Sequence, residues 1–218
     1  MALFEYDLFL VRGADGGSLL AEMAAGSDLA VEDEGAGHVS AGLRCLYAQF
    51  PASSGAARAP GMLRLGFQRH QIEPMLRGDA RRFLEWLWTI FERYRLDYAF
   101  MGGADVYRDY HSREPVTDQA VTEQLDELLA DGTIRFPHPL MLFAERLAGG
   151  RACELAGTAP HYRVQRRPGV GCLLVLSDHD LGGDSIEILQ PGMIYPHLVR
   201  HFRDAARRQA DGGPARPA

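Results

Sequence analysis

Residues 80–95, ARRFLEWLWTIFERYR, constrain the fold more than any other part of the chain. Phe83, Leu84, Leu87, Trp88, Ile90, Phe91 and Tyr94 recur at i, i+3, i+4 and i+7, while Arg81, Glu85, Glu92 and Arg93 fall on the opposite side. That is the pattern of a helix with one broad apolar face, and Asp79 stands where its N-cap should be. Seven large apolar side chains left wet would form an aggregation-prone patch, so the stripe is core packing and not a cofactor-binding box. A sheet is the layer able to bury it, and the neighbouring segments supply strands.

Residues 3–12 alternate Phe4, Tyr6, Leu8 and Leu10 with Glu5 and Asp7, the period of a strand with one wet face. Ser18 can cap a short helix through Met23, and residues 26–37, GSDLAVEDEGAG, read as an acidic loop. Residues 39–50 turn apolar again and are expected to pair with the first strand. Residues 51–61, PASSGAARAPG, have the composition of a flexible internal loop, and strands at 62–67 and 98–106 flank the central helix. Beyond them come a polar aromatic loop at 107–115, a helix at 117–130 and a short strand at 134–136. A helix is expected at 139–147, with Pro139 in its first turn and Gly149-Gly150 as its stop. Strands at 162–165 and 172–176 join across Pro168-Gly169, then a strand at 185–189 leads to a helix at 195–208, and the tail 209–218 should be disordered.

Strands and helices mix without strict alternation, which predicts a single α+β domain over residues 1–208. Its sheet should be mixed or mostly antiparallel, with helices packed mainly on one face. A chain of 218 residues, 46% hydrophobic and 24% charged, hides roughly 70% of its unfolded surface, enough for one such core.

Composition excludes several functions. All 23 basic residues are Arg, and without Lys there is no Walker A loop, Schiff-base nucleophile or kinase β3 lysine. A net charge of −6 disfavours a bare nucleic-acid binder, whose affinity comes from neutralising phosphates. No apolar run approaches the roughly 20 residues of a membrane span, and Glu5 and Asp7 interrupt what a signal peptide would keep apolar. A cytoplasmic protein is expected. Cys45, Cys153 and Cys172 have no C-x-x-C spacing and an odd total, so they read as reduced core thiols, and no cofactor is implied.

The best chemical constellation is Asp178, His179, Asp180 and Asp184 followed by His197 and His201. Histidines at i and i+4 share a helix face, so Asp178, His179, His197 and His201 could serve a metal-dependent or His/Asp-based enzyme. HLVRH lacks the Glu of H-E-x-x-H, and Arg200 and Arg203 add positive charge, so a loop and a solvated helix are the plainer reading. Residues 181–185, LGGDS, match the cyclase GGD signature too briefly and read as a turn. His70 and Glu73, with Asp105 and His111, could form an acid-base group at a sheet edge, or only hydrogen-bond at the surface.

From residue 139 the order of features is LMLFAERL ending in Gly149-Gly150, then RACELAG, APHYRVQ and PGVGCLLVLS. This stretch resembles the α/β immunity-like proteins of type VI secretion and polymorphic-toxin systems. Their pattern is a strand, a helix ended by Gly, an aromatic two residues after a Pro opening the next strand, and a Gly-rich turn feeding a Leu-rich strand. Ile134, Gly149, Pro160, Tyr162 and residues 171–176 take those places, and residues 63–106 could be the preceding strand, helix, strand unit. The resemblance implies a non-catalytic recognition protein that binds and occludes a toxin, and it carries over no catalytic residue. Acidic Glu32, Glu34, Asp178, Asp180 and Asp184 would steer a basic partner, with Tyr107, Arg108 and Tyr110 as anchors.

Overall fold

The computed structural model describes residues 5–12, 19–31, 37–40, 42–45, 47–49, 61–78, 80–103, 138, 140–147, 162–176 and 204. They form an α+β fold around a seven-stranded sheet. Strand β1 (Glu5–Arg12) lies inside it, and its two neighbours are the strands that flank the central helix in sequence. Three short strands and a helix come between in the chain: α1 (Leu19–Ala25), β2 (Leu29–Val31), β3 (Gly37–Val39) and β4 (Leu43–Cys45). The strands among these make a separate small sheet in the order β2-β3-β4. Next in sequence are β5 (Tyr47–Gln49), β6 (Gly61–Gln68), α2 (Arg69–Gly78), α3 (Ala80–Arg93) and β7 (Tyr98–Gly103). The described part of the chain then supplies β8 (Leu140–Ala144), β9 (Tyr162–Arg167) and β10 (Gly171–Leu176). The main sheet runs β5-β6-β1-β7-β8-β10-β9, and every pairing among the described residues is antiparallel.

Register divides the sheet into two faces. Leu8 stands opposite Leu65 and Met101, Met101 opposite Leu140, and Leu142 opposite Leu173, so these residues share one side. Arg167 belongs to that side through its pairing with Gly171, and it meets Glu85 and the Trp88 ring of α3. Helix α3 therefore covers this face. Phe83, Leu84, Leu87, Trp88, Ile90, Phe91 and, just past the helix, Tyr94 are all buried, as the stripe predicts, and Trp86 is buried beside them.

Helices α1 and α3 close in the same way. In α1 the Asp28 N–H donates to the Met23 carbonyl and the Ser27 N–H to that of Ala24. In α3 the Leu96 N–H donates to Phe91 and the Arg95 N–H to Glu92. Both are Schellman closures, with Ser27 at φ 60° and Arg95 at φ 49° in the left-handed region usually left to glycine.

Three expectations change, and one helix forms where the sequence reading placed no element. Residues 140–144 are a strand and not part of a helix, because all five side chains are buried and both edges of β8 are paired, to β7 and β10. A short continuous apolar run fits a strand with two buried faces as well as a buried helix. Residues 39–50 do not pair with β1, whose edges are already taken by β6 and β7; β5 pairs with β6 instead. A strand, β2, sits inside the stretch expected to be a loop, with Leu29 buried. Helix α2 forms despite Pro74 in its interior, carried by buried Ile72 and Leu76 at i and i+4. The segments expected at 51–60, 107–136, 185–203 and 205–218 lie outside the described residues.

Cys172 is buried in β10, as expected, but it is disulfide-bonded, which corrects its reading as a reduced thiol. Odd cysteine number argues against a framework of several bridges, and it does not forbid one.

Two measurements test this core. Phe83→Ala or Phe91→Ala should cost about 3–5 kcal/mol in chemical denaturation through lost transfer energy and cavity formation, whereas Glu92→Arg should change stability by no more than about 0.5 kcal/mol. Thiol titration of the denatured, unreduced chain should find one reactive thiol, rising to all three cysteines after reduction; three before reduction would remove the disulfide.

Candidate functional site

The second face of the sheet carries a continuous aromatic row. Phe9 of β1 stacks on Phe100 of β7 at 4.7 Å and 6°, Phe100 on Tyr98 at 5.0 Å, and Tyr98 on Phe143 of β8 at 5.1 Å and 10°. Cross-strand register places them together, since Phe9 is opposite Phe100 and Tyr98 opposite Phe143. Arg64, opposite Phe9 on β6, lays its guanidinium 5.6 Å from that ring, a cation–π contact that extends the row. His138 stacks on Phe100 at 4.3 Å and is only 3% exposed. Burial pushes its imidazole down to about pKa 3, so at neutral pH it is an uncharged aromatic plate and not a proton donor.

Three polar ties hold the ends of these elements. Asp28, buried at the end of α1, accepts hydrogen bonds from Tyr94 Oη at 2.6 Å, from Arg93 Nη1 and from Ser40 Oγ at 3.3 Å. Its carboxylate faces the C-terminal end of α3, where the helix dipole disfavours an anion, and the Arg93 guanidinium offsets that. Burial, and then the bond to Asp28, hold the Tyr94 phenol above its usual pKa. Gly26 belongs to this tie, because a Cβ there would collide with Tyr94 Oη. At the start of β7, Asp97 accepts from Arg146 Nε at 2.9 Å while Arg146 Nη2 donates to the carbonyls of Arg95 and Leu96. Arg12 and Glu22 make the third tie, two hydrogen bonds at 2.7 and 2.8 Å between β1 and α1, and the pair lowers the Glu22 carboxyl pKa.

None of these groups was singled out from the sequence as chemical. The signals were present but ordinary: Phe9, Tyr98, Phe100 and Phe143 are strand aromatics, and Asp28 lies in a glycine-rich acidic stretch. The residues that were singled out, Glu32, Glu34, Tyr107, Arg108, Tyr110, Asp178, His179, Asp180, Asp184, His197 and His201, lie outside the described residues, as do Asp105 and His111. His70 is exposed on α2, with Glu73 one turn further along the same helix. Among the described residues, no three His, Cys, Asp or Glu side chains come together as metal ligands.

No known protein family and no curated protein matches the chain. Among solved structures it is similar to a T6SS protein of Pseudomonas aeruginosa, at 12% identity and TM-score 0.38, over 92% of this chain and 76% of that one. It is also similar to the regulatory subunit of aspartate kinase from Thermus flavus, at 9% identity and TM-score 0.25, over 94% of each chain.

His138 gives the aromatic face a pH signature. Its folded pKa lies below the ordinary 6.5, so protonation favours the unfolded chain; its contribution is complete above pH 6.5 and is lost as pH falls from there toward 3. Unfolding free energy should fall below pH 6.5 with a limiting slope from this residue of about 1.4 kcal/mol per pH unit. His138→Phe, measured over pH 5–8 by denaturant titration, should flatten that part of the profile; an unchanged profile would show that His138 is not buried in the neutral form.

Proposed function

We propose that the chain is a non-catalytic recognition protein, an immunity protein that binds and occludes a toxin. The observation that carries this reading is the β9–β10 hairpin within the stretch that resembles immunity-like proteins. Tyr162 opens β9, a turn through Gly169 follows, and the Leu-rich β10 returns in register, in the order the resemblance requires. The helix that the same pattern puts at 139–147 is replaced by β8, so the support comes from the second half of the stretch.

In this reading the work is done by surface complementarity, with no bond made or broken. Glu32, Glu34, Asp178, Asp180 and Asp184 supply a field that draws in a basic toxin surface and speeds its docking. Tyr107, Arg108 and Tyr110 supply the large amphipathic contacts that dominate binding energy at protein interfaces. The disulfide at Cys172 favours an oxidising compartment as the place of action over the cytoplasm expected from sequence, since such bonds persist where thiols are not kept reduced.

Co-expression with toxins encoded beside its gene tests the proposal. Growth rescue and co-purification with one of them are expected. Asp178→Arg, Asp180→Arg, Asp184→Arg together should slow association by about tenfold or more at low salt, with the difference shrinking as salt screens the field. No rescue by the intact chain, with no toxin or secretion gene nearby, would overturn the assignment.

A further inference from the structure

Cys172 is buried in β10 and disulfide-bonded, and the chain's other cysteines are Cys45 and Cys153. Bridged cysteines need Cα atoms within about 7 Å of each other, so the sheet decides between them. Tyr47 of β5 pairs with Gly66 of β6, and β5 stands five places from β10 in the sheet order. At about 4.8 Å per place, that separation is about 24 Å. Cys45 precedes Tyr47 by two residues, a reach of at most about 7.6 Å, so its Cα stays about 16 Å or more from β10. Cys45 is excluded, which leaves Cys153.

Topology reaches the same residue by a separate route. Strands β6 and β7 run parallel with β1 between them, and β8 and β9 run parallel with β10 between them, the two pairs pointing in opposite directions. Both connections step along the sheet the same way, toward the β9 edge. Crossovers between parallel strands share one hand, so two that step alike from oppositely directed strands pass over opposite faces. The β6-to-β7 connection contains α3 and covers the aliphatic face. The hand rule then assigns the β8-to-β9 connection, residues 145–161, to the aromatic face. Cys172, opposite Phe143 in the register, shares that face.

We propose that Cys153 and Cys172 form a disulfide that staples the β8-to-β9 connection to the aromatic face, as a maturation lock and not a reversible redox sensor. Cys172 is 0% exposed, so an external thiolate has no approach to its sulfur in the folded chain. Attack at Cys153 would have to expel Cys172 as a thiolate into apolar surroundings, which raise a thiol pKa and slow its departure. The same seal requires the bond to form before β10 is packed. The two thiols give up two protons and two electrons to a disulfide donor of the thiol–disulfide oxidoreductase class. One thiolate attacks the donor disulfide, the second resolves the mixed disulfide, and the donor leaves as a dithiol. The lock is independent of toxin occlusion, because no step of it uses a partner surface.

Differential alkylation of the chain expressed in an oxidising compartment maps the bond. In denaturant without reductant, N-ethylmaleimide should label Cys45 alone, and cleavage after arginine should yield residues 152–163 linked to 167–200, separating on reduction. Dithiothreitol should open the bond about tenfold or more slowly in native buffer than in guanidinium chloride. Cys45→Ala should keep the link, whereas Cys153→Ser should lose it and lower the melting temperature by about 5–15 °C. Should Cys153→Ser fail to fold, the peptide map of Cys45→Ala still decides the pairing. A linked peptide containing Cys45, or label on all three cysteines before reduction, would overturn the pairing. Native reduction as fast as reduction in denaturant would overturn the lock.

Discussion

The rest of the structure depends on a sheet whose inner strands are apolar on both sides. Leu8 and Leu10 of β1 point to one face and Phe9 and Val11 to the other, and all four are buried; β8 is buried at all five positions. Antiparallel sheets commonly keep one wet face, and the alternation then fixes register, since a one-residue slip would expose every apolar side chain. Here a slip would exchange one apolar set for another, so register must be held by shape and by ties. The α3 face is aliphatic along Leu8, Leu10, Leu63, Leu65, Leu142 and Leu173, whereas the opposite face carries the stacked rings of Phe9, Phe100, Tyr98 and Phe143. Flat rings stacked between strands do not interchange with branched aliphatics without loss of packing.

Backbone contacts reinforce that choice. The Asp97 N–H donates to the Val11 carbonyl and the Ala144 N–H to the Asp97 carbonyl, both at 2.9 Å, so one residue ties β1 and β8 to the start of β7. At the other side of β8, a Cβ on Gly171 would collide with the Phe143 carbonyl, so only glycine allows β10 to approach so closely. The two Schellman closures add the last constraint. Ser27 and Arg95 adopt left-handed backbone that costs about 1 kcal/mol or more for a residue with a side chain, and Asp28, Arg93 and Tyr94 bind the two closed ends to each other.

Much of this was legible in the sequence where periodicity was long and unambiguous. Helix α3 and strands β1, β6, β7, β9 and β10 follow from apolar spacing with Gly and Pro as punctuation. Leu140–Ala144 was illegible for the reason that makes it central: a strand buried on both faces has no alternation to read. Helix α2 was hidden by Pro74, whose cost is an average over contexts that buried Ile72 and Leu76 override here. Of the candidate site, the sequence identified acidic and aromatic residues in loops, where chemistry is not tied to the periodicity of a fold. It could not show that Asp28, Arg93 and Tyr94 converge, because they meet across more than sixty residues of chain, and spacing carries no information at that range.

The division between interior and surface bears on where function can sit. Histidine is the side chain whose charge ordinarily changes near neutral pH, yet in His138 desolvation holds it neutral and stacked on Phe100. Asp28 and Asp97 have hydrogen-bonding partners, and the arginines that reach them are fixed in the same contacts. A side chain engaged in this way stabilises one geometry, and using it on a ligand would first require breaking a native tie.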